Sequence, residues 1–336
     1  MPNIIIHLSQ QQLEELLQKN EIIINYRNPS ATFVQGTAPP QKETSFFEFF
    51  KVQIRRLQKS GNLRTLETYK AAFRKFHEFM QAKDTPLSHV TEELLDAYQV
   101  YLREQCLAMN TVSFYMRILR AVYHRAVEQG LVTDSHPFRH VYTGIAKTSK
   151  RAISLDEMKV LNSLTIAEPK LQFARDMFLF SFYTRGMSFV DMAYLKKTDI
   201  KNGVMTYKRH KTGQYLTIRW EGKMQDIVNR YTCSSSEFLL PLIHTSNGKE
   251  RNQYRNIQSQ INHDLKEIGK RAGINRALSM YCARHSWASI ARQLKMPIEV
   301  ISRGMGHTNQ KTTEIYLKSI DINIIDEANS RIINSI

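Results

Sequence analysis

Cysteine, acidic side chains and long apolar runs are what this 336-residue chain has little of. Its three cysteines, Cys106, Cys233 and Cys282, lie far apart and form no Cys-x-x-Cys pair, which argues against a disulfide framework and against a zinc site. No apolar run approaches the ~20 residues needed to span a bilayer. The N-terminus offers only Ile4-Ile5-Ile6, without a basic segment or a cleavage site. A cytoplasmic protein without a membrane partner is therefore expected. Asp and Glu number 31 against 47 Lys and Arg, a formal net charge of +16. That imbalance says little about fold but favours a polyanionic partner, nucleic acid above all. No carboxylate cluster suggests a metal site, and no cofactor is expected. What is present suffices for folding: 42% of the residues are hydrophobic, and the length suits two ordinary domains.

Residues 1–42 read as an N-terminal segment and linker. Leu13, Leu16 and Leu17 suit a short helix, Ile22 to Tyr26 a short strand, and Gly36 to Pro40 is a breaker cluster. Residues 43–140 read as a helical domain with four helices by Glu128. The first carries Phe46, Phe47, Phe50, Ile54 and Leu57; the second carries Leu66, Tyr69, Phe73, Phe76 and Met80 at helical spacing. The third opens at Thr91, with Glu92 and Glu93 in its first turn as a cap and the helix dipole favour. The fourth runs from about Thr111 to Gln129 and stops at Gly130. It displays Arg117, Arg120, His124 and Arg125, which are either a solvated basic face or phosphate contacts on DNA. Residues 141–153 are a polar, basic linker. A second domain, 154–336, begins at a helix start, Ser154-Leu155-Asp156-Glu157. Gly203 to Ile218 alternates apolar and polar residues around Lys211-Thr212-Gly213, a β-hairpin signal. The fold class is mainly α with a small β-sheet (α+β).

The chemistry concentrates between Met280 and Tyr316. Arg284 and His285 interrupt an apolar helical pattern of Ala283, Trp287, Ile290, Ala291 and Leu294. Gly306-His307 ends a short helix, where glycine lets the backbone turn. Tyr316 follows nine residues after His307 in a Thr-Thr-Glu setting. Taken singly, Arg284 could be an ion-pair partner, His307 a cap and Tyr316 core. Together an Arg, a His and a Tyr suit attack on a phosphodiester, with the phenol as nucleophile and the guanidinium fork on the phosphoryl oxygens.

The ordered set Arg284-His285-Ser286-Trp287-Ala288, then Met305-Gly306-His307, then Tyr316 resembles the C-terminal signature of the tyrosine recombinase (phage integrase) family. The likeness extends over about residues 45–336. The phrases Arg185 to Phe189 and Tyr194 to Lys197 resemble integrases and invertases of the Bacteroides type. The resemblance implies a helical core-binding (SAM-like) DNA-binding domain followed by a catalytic recombinase domain. It also implies site-specific cleavage and rejoining of DNA through a 3′-phosphotyrosine, with integration, excision or inversion as the outcome. Tyr316 is then the nucleophile, Arg284 and His307 stabilise the transition state, and Lys211 on the hairpin protonates the leaving 5′ oxygen. The implied partners are double-stranded DNA and a homotetramer on DNA, joined by exchange of a C-terminal helix bearing Ile324, Ala328 and Ile332.

Two positions depart from the family pattern. The first catalytic arginine normally stands three residues before an acidic residue. Asp191 fills the acidic place, but Ser188 stands where the arginine should be. Ser188 and Asp191 instead resemble a capping box. Arg185, in the turn just before, either supplies the missing charge or is only a structural partner. Tyr281 replaces the histidine expected three residues before Arg284. A tyrosine can donate to a phosphate oxygen but is a poor base near neutrality. A non-cleaving DNA-binding protein on the same fold and a type IB topoisomerase, which shares the Tyr, Arg, Lys and His chemistry, stand as rival readings.

Overall fold

A computed structural model describes residues 43–146, 152–231 and 236–307, together with Thr313 and Ile333. The N-terminal segment 1–42, part of the linker, Tyr316 and the stripe Ile324, Ala328 and Ile332 lie outside the described residues. The chain divides into two compact units, 1–147 and 148–336. Among the described residues no helix is long and apolar enough to cross a membrane.

Among the described residues the first unit holds four α-helices: α1 (Phe46–Lys59), α2 (Leu63–Phe79), α3 (Glu92–Glu104) and α4 (Met109–Glu128). Two begin at side-chain caps. Ser45 Oγ accepts from Glu48 N at 2.9 Å, and Thr91 Oγ1 accepts from Leu94 N at 3.3 Å. The aromatic stripes foreseen on α1 and α2 interlock: Phe46 meets Phe76 edge-on at 5.5 Å, and Phe50 meets Phe73 at 5.4 Å. Phe76 also meets Tyr98 of α3 at 5.0 Å. Such tilted pairs add to the burial of large apolar area.

The three arginines expected to face DNA have different surroundings. Arg117 is exposed on α4. The half-buried Arg120 donates to Thr143 Oγ1 at 3.2 Å. Arg125 turns inward and donates to Oε1 of the fully buried Gln53 at 3.3 Å.

In the second unit, Ser154 and Glu157 form a complete capping box at the start of α5 (Leu155–Ser163). The central element is α6 (Pro169–Tyr183), in which Met177, Phe178, Leu179 and Phe180 are all buried. An element apolar all round must be covered on every side. Here α8 (Gly222–Tyr231), α9 (Glu250–Arg271) and α10 (Met280–Gln293) pack around it. Between α6 and α8 come the short α7 (Phe189–Ala193) and an antiparallel sheet of β1 (Ile200–Lys201), β2 (Val204–Lys208) and β3 (Tyr215–Arg219), in that order. The hairpin register sets Met205 opposite Ile218 and Tyr207 opposite Leu216, so these side chains share the inward face. A last described helix, α11 (Ile298–Gly304), follows α10. The mainly α architecture with a small sheet agrees with the sequence reading. One residue of the apolar stripe on α10 does not: Leu294 is 60% exposed. It stands beyond the last turn, where the chain leaves the core for α11.

Candidate active site

The site forms where the turn after α6, the β2–β3 hairpin, α10 and the end of α11 meet. The turn closes with Arg185 at φ +61° and Gly186 at φ +71°. Gly186 is required there. A Cβ at this position would stand 2.7 Å from Arg284 Cα, far inside contact distance. The close approach lets the Gly186 carbonyl accept from Arg284 Nη1 at 2.7 Å.

Arg284 is buried, and its Nη2 donates to the Met305 carbonyl at 2.8 Å. The same nitrogen lies 2.9 Å from His307 Nε2. A guanidinium only donates, so Nε2 accepts and Nδ1 carries the proton. That Nδ1–H is 2.8 Å from Thr313 Oγ1, which accepts it. Burial, with Arg284, Arg209 and Lys211 nearby, pushes His307 down to about 4. The imidazole is therefore neutral near pH 7.

Gly306, at φ +65°, ends the α11 segment. A Cβ there would meet Leu216 Cδ1 at 2.7 Å and Arg209 Cδ at 3.1 Å, so the hairpin rests directly on this glycine. Arg209 is buried and donates through Nη1 to the Gly306 carbonyl. Its Nε lies 3.9 Å from Asp191 Oδ2. Asp191 is 3% exposed and joins α7 to the hairpin. It accepts from Ser188 Oγ at 2.6 Å and from His210 N at 2.8 Å. Burial alone would raise this carboxyl, but the bonds from His210 and Ser188 and the charge of Arg209 hold it below the usual range.

The sequence therefore named Arg284 and His307 correctly as neighbours, and Lys211 lies close enough to bear on His307. Ser188 caps α7 as expected, accepting from Asp191 N at 3.4 Å. The reciprocal half differs from a capping box, since the Asp191 carboxylate takes the Ser188 hydroxyl. Arg185 is half-buried, and its side chain donates to Thr217 O of β3 at 3.4 Å. Tyr281 is 45% exposed, with its ring edge-on to His285 at 4.5 Å. Tyr316 is outside the described residues, so its place relative to Arg284 is not part of this geometry.

Arg209 was missed. The signal for it was strand alternation: Met205, Tyr207 and Arg209 are two apart, so a buried Met205 and Tyr207 bring Arg209 to the same face.

This arrangement is a concentration of fixed positive charge around a neutral histidine, as an anion site requires. Comparison with known proteins agrees. A family model described as the phage integrase family matches residues 153–321, half of the chain. The chain belongs to this family, the tyrosine recombinases. It is an enzyme, a site-specific recombinase of the tyrosine type. A second model, the phage integrase SAM-like domain, matches residues 45–142. Tyrosine recombinase XerD of Rhizobium meliloti is 23% identical to the recombinase over 288 residues, covering 78% of this chain and 87% of that protein. A tyrosine recombinase of Thermosipho africanus is 24% identical over 285 residues, covering 83% and 96%.

Among solved structures, a lambda integrase dimer bound to a COC′ core site superposes with TM-score 0.62 at 15% identity, covering 80% of this chain and 97% of that one. A lambda integrase tetramer bound to a Holliday junction gives 0.62 at 14%, covering 82% and 78%. The Tn1549 transposon integrase in complex with a circular intermediate DNA gives 0.62 at 16%, covering 85% and 99%. At such identities these structures speak for the fold alone.

Proposed function

We propose that the recombinase cleaves and rejoins duplex DNA through a 3′-phosphotyrosine on Tyr316. The Tyr316 hydroxyl loses its proton to water and attacks the scissile phosphorus, and the bond to the 5′ oxygen breaks. Lys211 gives that oxygen a proton, leaving a 5′-hydroxyl. The 5′-hydroxyl of the partner strand then reverses the attack, so bond energy is conserved. Arg284 and Arg209 neutralise the charge that builds on the non-bridging oxygens, and they are already fixed before substrate arrives. His307, neutral and with Nε2 accepting from Arg284, holds that guanidinium in place for the phosphate. Arg185 supports the hairpin through Thr217, and Tyr281 contributes from the exposed flank of α10. The observation that carries this reading is Arg284. It is a buried guanidinium fixed by two backbone carbonyls and a histidine.

On the first unit, Arg117 and Arg120 contact DNA phosphates, whereas Arg125 serves chiefly the interior. Two duplexes exchange strands within a homotetramer, as in the lambda integrase tetramer on a Holliday junction. The corner between α10 and α11 exposes Leu294, Met296 and Val300, an apolar surface suited to the C-terminal stripe of a neighbouring copy. Whether the result is integration, excision or inversion follows from how the two sites are placed.

The test is a nicked suicide duplex carrying a site selected from random-sequence DNA with the full-length chain. The expected result is a protease-resistant peptide on the 3′ end of the cleaved strand, lost in Tyr316→Phe. Binding without any covalent product would leave only a DNA-binding protein.

A further inference from the structure

Tyr207 is 6% exposed, yet no hydrogen bond reaches its hydroxyl among the described residues. The unit treats comparable phenols differently: Tyr183 donates to Asn162 Oδ1 at 2.7 Å and Tyr231 to Asp176 Oδ2 at 2.8 Å. Nor is the Tyr207 oxygen sealed in the core. The sealed, unpartnered side-chain atoms among the described residues are Gln53 Nε2, Tyr98 Oη and Ser113 Oγ, all in the first unit. The Tyr207 oxygen is therefore open to an outside partner.

Its surroundings say which partner. Tyr207 lies on β2 two residues before Arg209 and opposite Leu216, and both of those side chains rest on Gly306. Arg185 reaches the next residue of β3, Thr217. The charges acting on the phenol are Asp191, Arg209, Arg284 and Arg185, three cations to one anion. The anion is already engaged, with its oxygens taking Ser188 Oγ and His210 N. Burial pushes the phenol up, so it keeps its proton and donates. A partly open donor among guanidiniums is suited to an anionic oxygen.

We propose that the Tyr207 hydroxyl donates a hydrogen bond to a non-bridging oxygen of the scissile DNA phosphate, making Tyr207 a further catalytic residue. The assignment rests on the phosphotyrosine reading above. It gives a structural reason why this site works with serine at position 188: a phenol and Arg209, both from the hairpin, face the phosphate instead.

The experiment uses the full chain and the same suicide duplex, in single turnover, with Tyr207→Phe. This change removes one oxygen that has no hydrogen-bond partner among the described residues. Cleavage is expected to slow about ten- to hundredfold, the usual size of a lost bond to a charged group. DNA affinity and melting temperature should stay unchanged. The decisive comparison replaces the scissile phosphate by each methylphosphonate diastereomer. The Tyr207→Phe defect should vanish on the diastereomer that lacks the contacted oxygen and persist on the other. Cleavage by Tyr207→Phe within twofold of the parent would overturn the proposal, as would an equal defect on both diastereomers, which marks a merely structural role. Failure of the parent chain itself to form an adduct would instead remove the phosphotyrosine reading, and this assignment with it.

Discussion

Substituting Gly186 by alanine tests whether the close approach of the α6 turn to α10 sets the position of Arg284. Two costs apply. Gly186 is at φ +71°, where a Cβ costs about 1–2 kcal/mol. The added methyl would also stand 2.7 Å from Arg284 Cα, 2.9 Å from its Cγ and 3.0 Å from its Cβ. Backbone cannot swing aside, so helix and turn must separate, an overpacking cost of about 1–3 kcal/mol. The sum, about 2–5 kcal/mol, lowers Tm by roughly 4–20 °C for a domain of this size. Separation also stretches the 2.7 Å bond from Arg284 Nη1 to the Gly186 carbonyl. A displacement near 1 Å at a catalytic group costs on the order of a hundredfold in rate. Gly203→Ala is the control, because Gly203 has the same φ of +71° but nothing within 4 Å of a Cβ. It should show the backbone cost alone. The assays are thermal unfolding and single-turnover adduct formation well below either Tm. If Gly186→Ala matched Gly203→Ala in both, the contact would not constrain the site.

Other perturbations separate the roles of the remaining residues. Arg185→Ala, which removes a 3.4 Å bond to a β3 carbonyl, should slow adduct formation less than Arg209→Lys, and the reverse order would restore Arg185 as the second catalytic arginine. His307 has its folded pKa lowered from 6.5 to about 4. The unfolded chain therefore binds this proton first as pH falls, so the histidine's contribution to stability should drop between about pH 6.5 and 4. Urea midpoints at pH 7 and pH 5 should differ more for the parent chain than for His307→Gln. Arg117→Ala should reduce the slope of log affinity against log salt by about 0.9, the share of one phosphate contact on B-form DNA. Arg125→Ala should instead lower the Tm of the first unit, since it strips the partner from buried Gln53.

The helices were legible because their signals are local. Ser45, Thr91 and Ser154 are side-chain caps, and the aromatic positions of α1 and α2 repeat with the helical period. The hairpin was legible from alternation around Lys211-Thr212-Gly213. Arg284 and His307 stood out as charged and titratable groups at the edges of apolar patterns. Arg209 and Tyr207 did not, because their significance comes from what lies across from them. Gly306 is 97 residues from Arg209, and nothing local announces that pairing. Arg185 was picked out by its adjacency to Gly186 in sequence, but its bond to the Thr217 carbonyl of β3 could not be read from neighbouring residues. Leu294 continued a helical stripe past the point where the helix ended.

The pairing of Arg209 with Asp191 also bears on what the charge is for. Both side chains are buried, 7% and 3% exposed, and a buried ion pair adds little net stability because desolvation offsets attraction. Its value to folding is therefore small, and on the proposed reading its value lies with the anionic substrate. These two effects come apart in a pair of variants. Arg209→Met alone leaves the Asp191 carboxylate without its cation and should destabilise by about 3 kcal/mol. Arg209→Met with Asp191→Asn removes both charges, keeps an oxygen to accept from His210 N and turns an amide N–H towards the Ser188 hydroxyl, and should recover most of that loss. Adduct formation should be poor in both variants, since neither restores the guanidinium. A double variant as unstable as the single one would show that the Arg209 fork holds Gly306 in place more than it answers Asp191. Recovery of cleavage in the double variant would mean that the second positive charge at the phosphate comes from elsewhere.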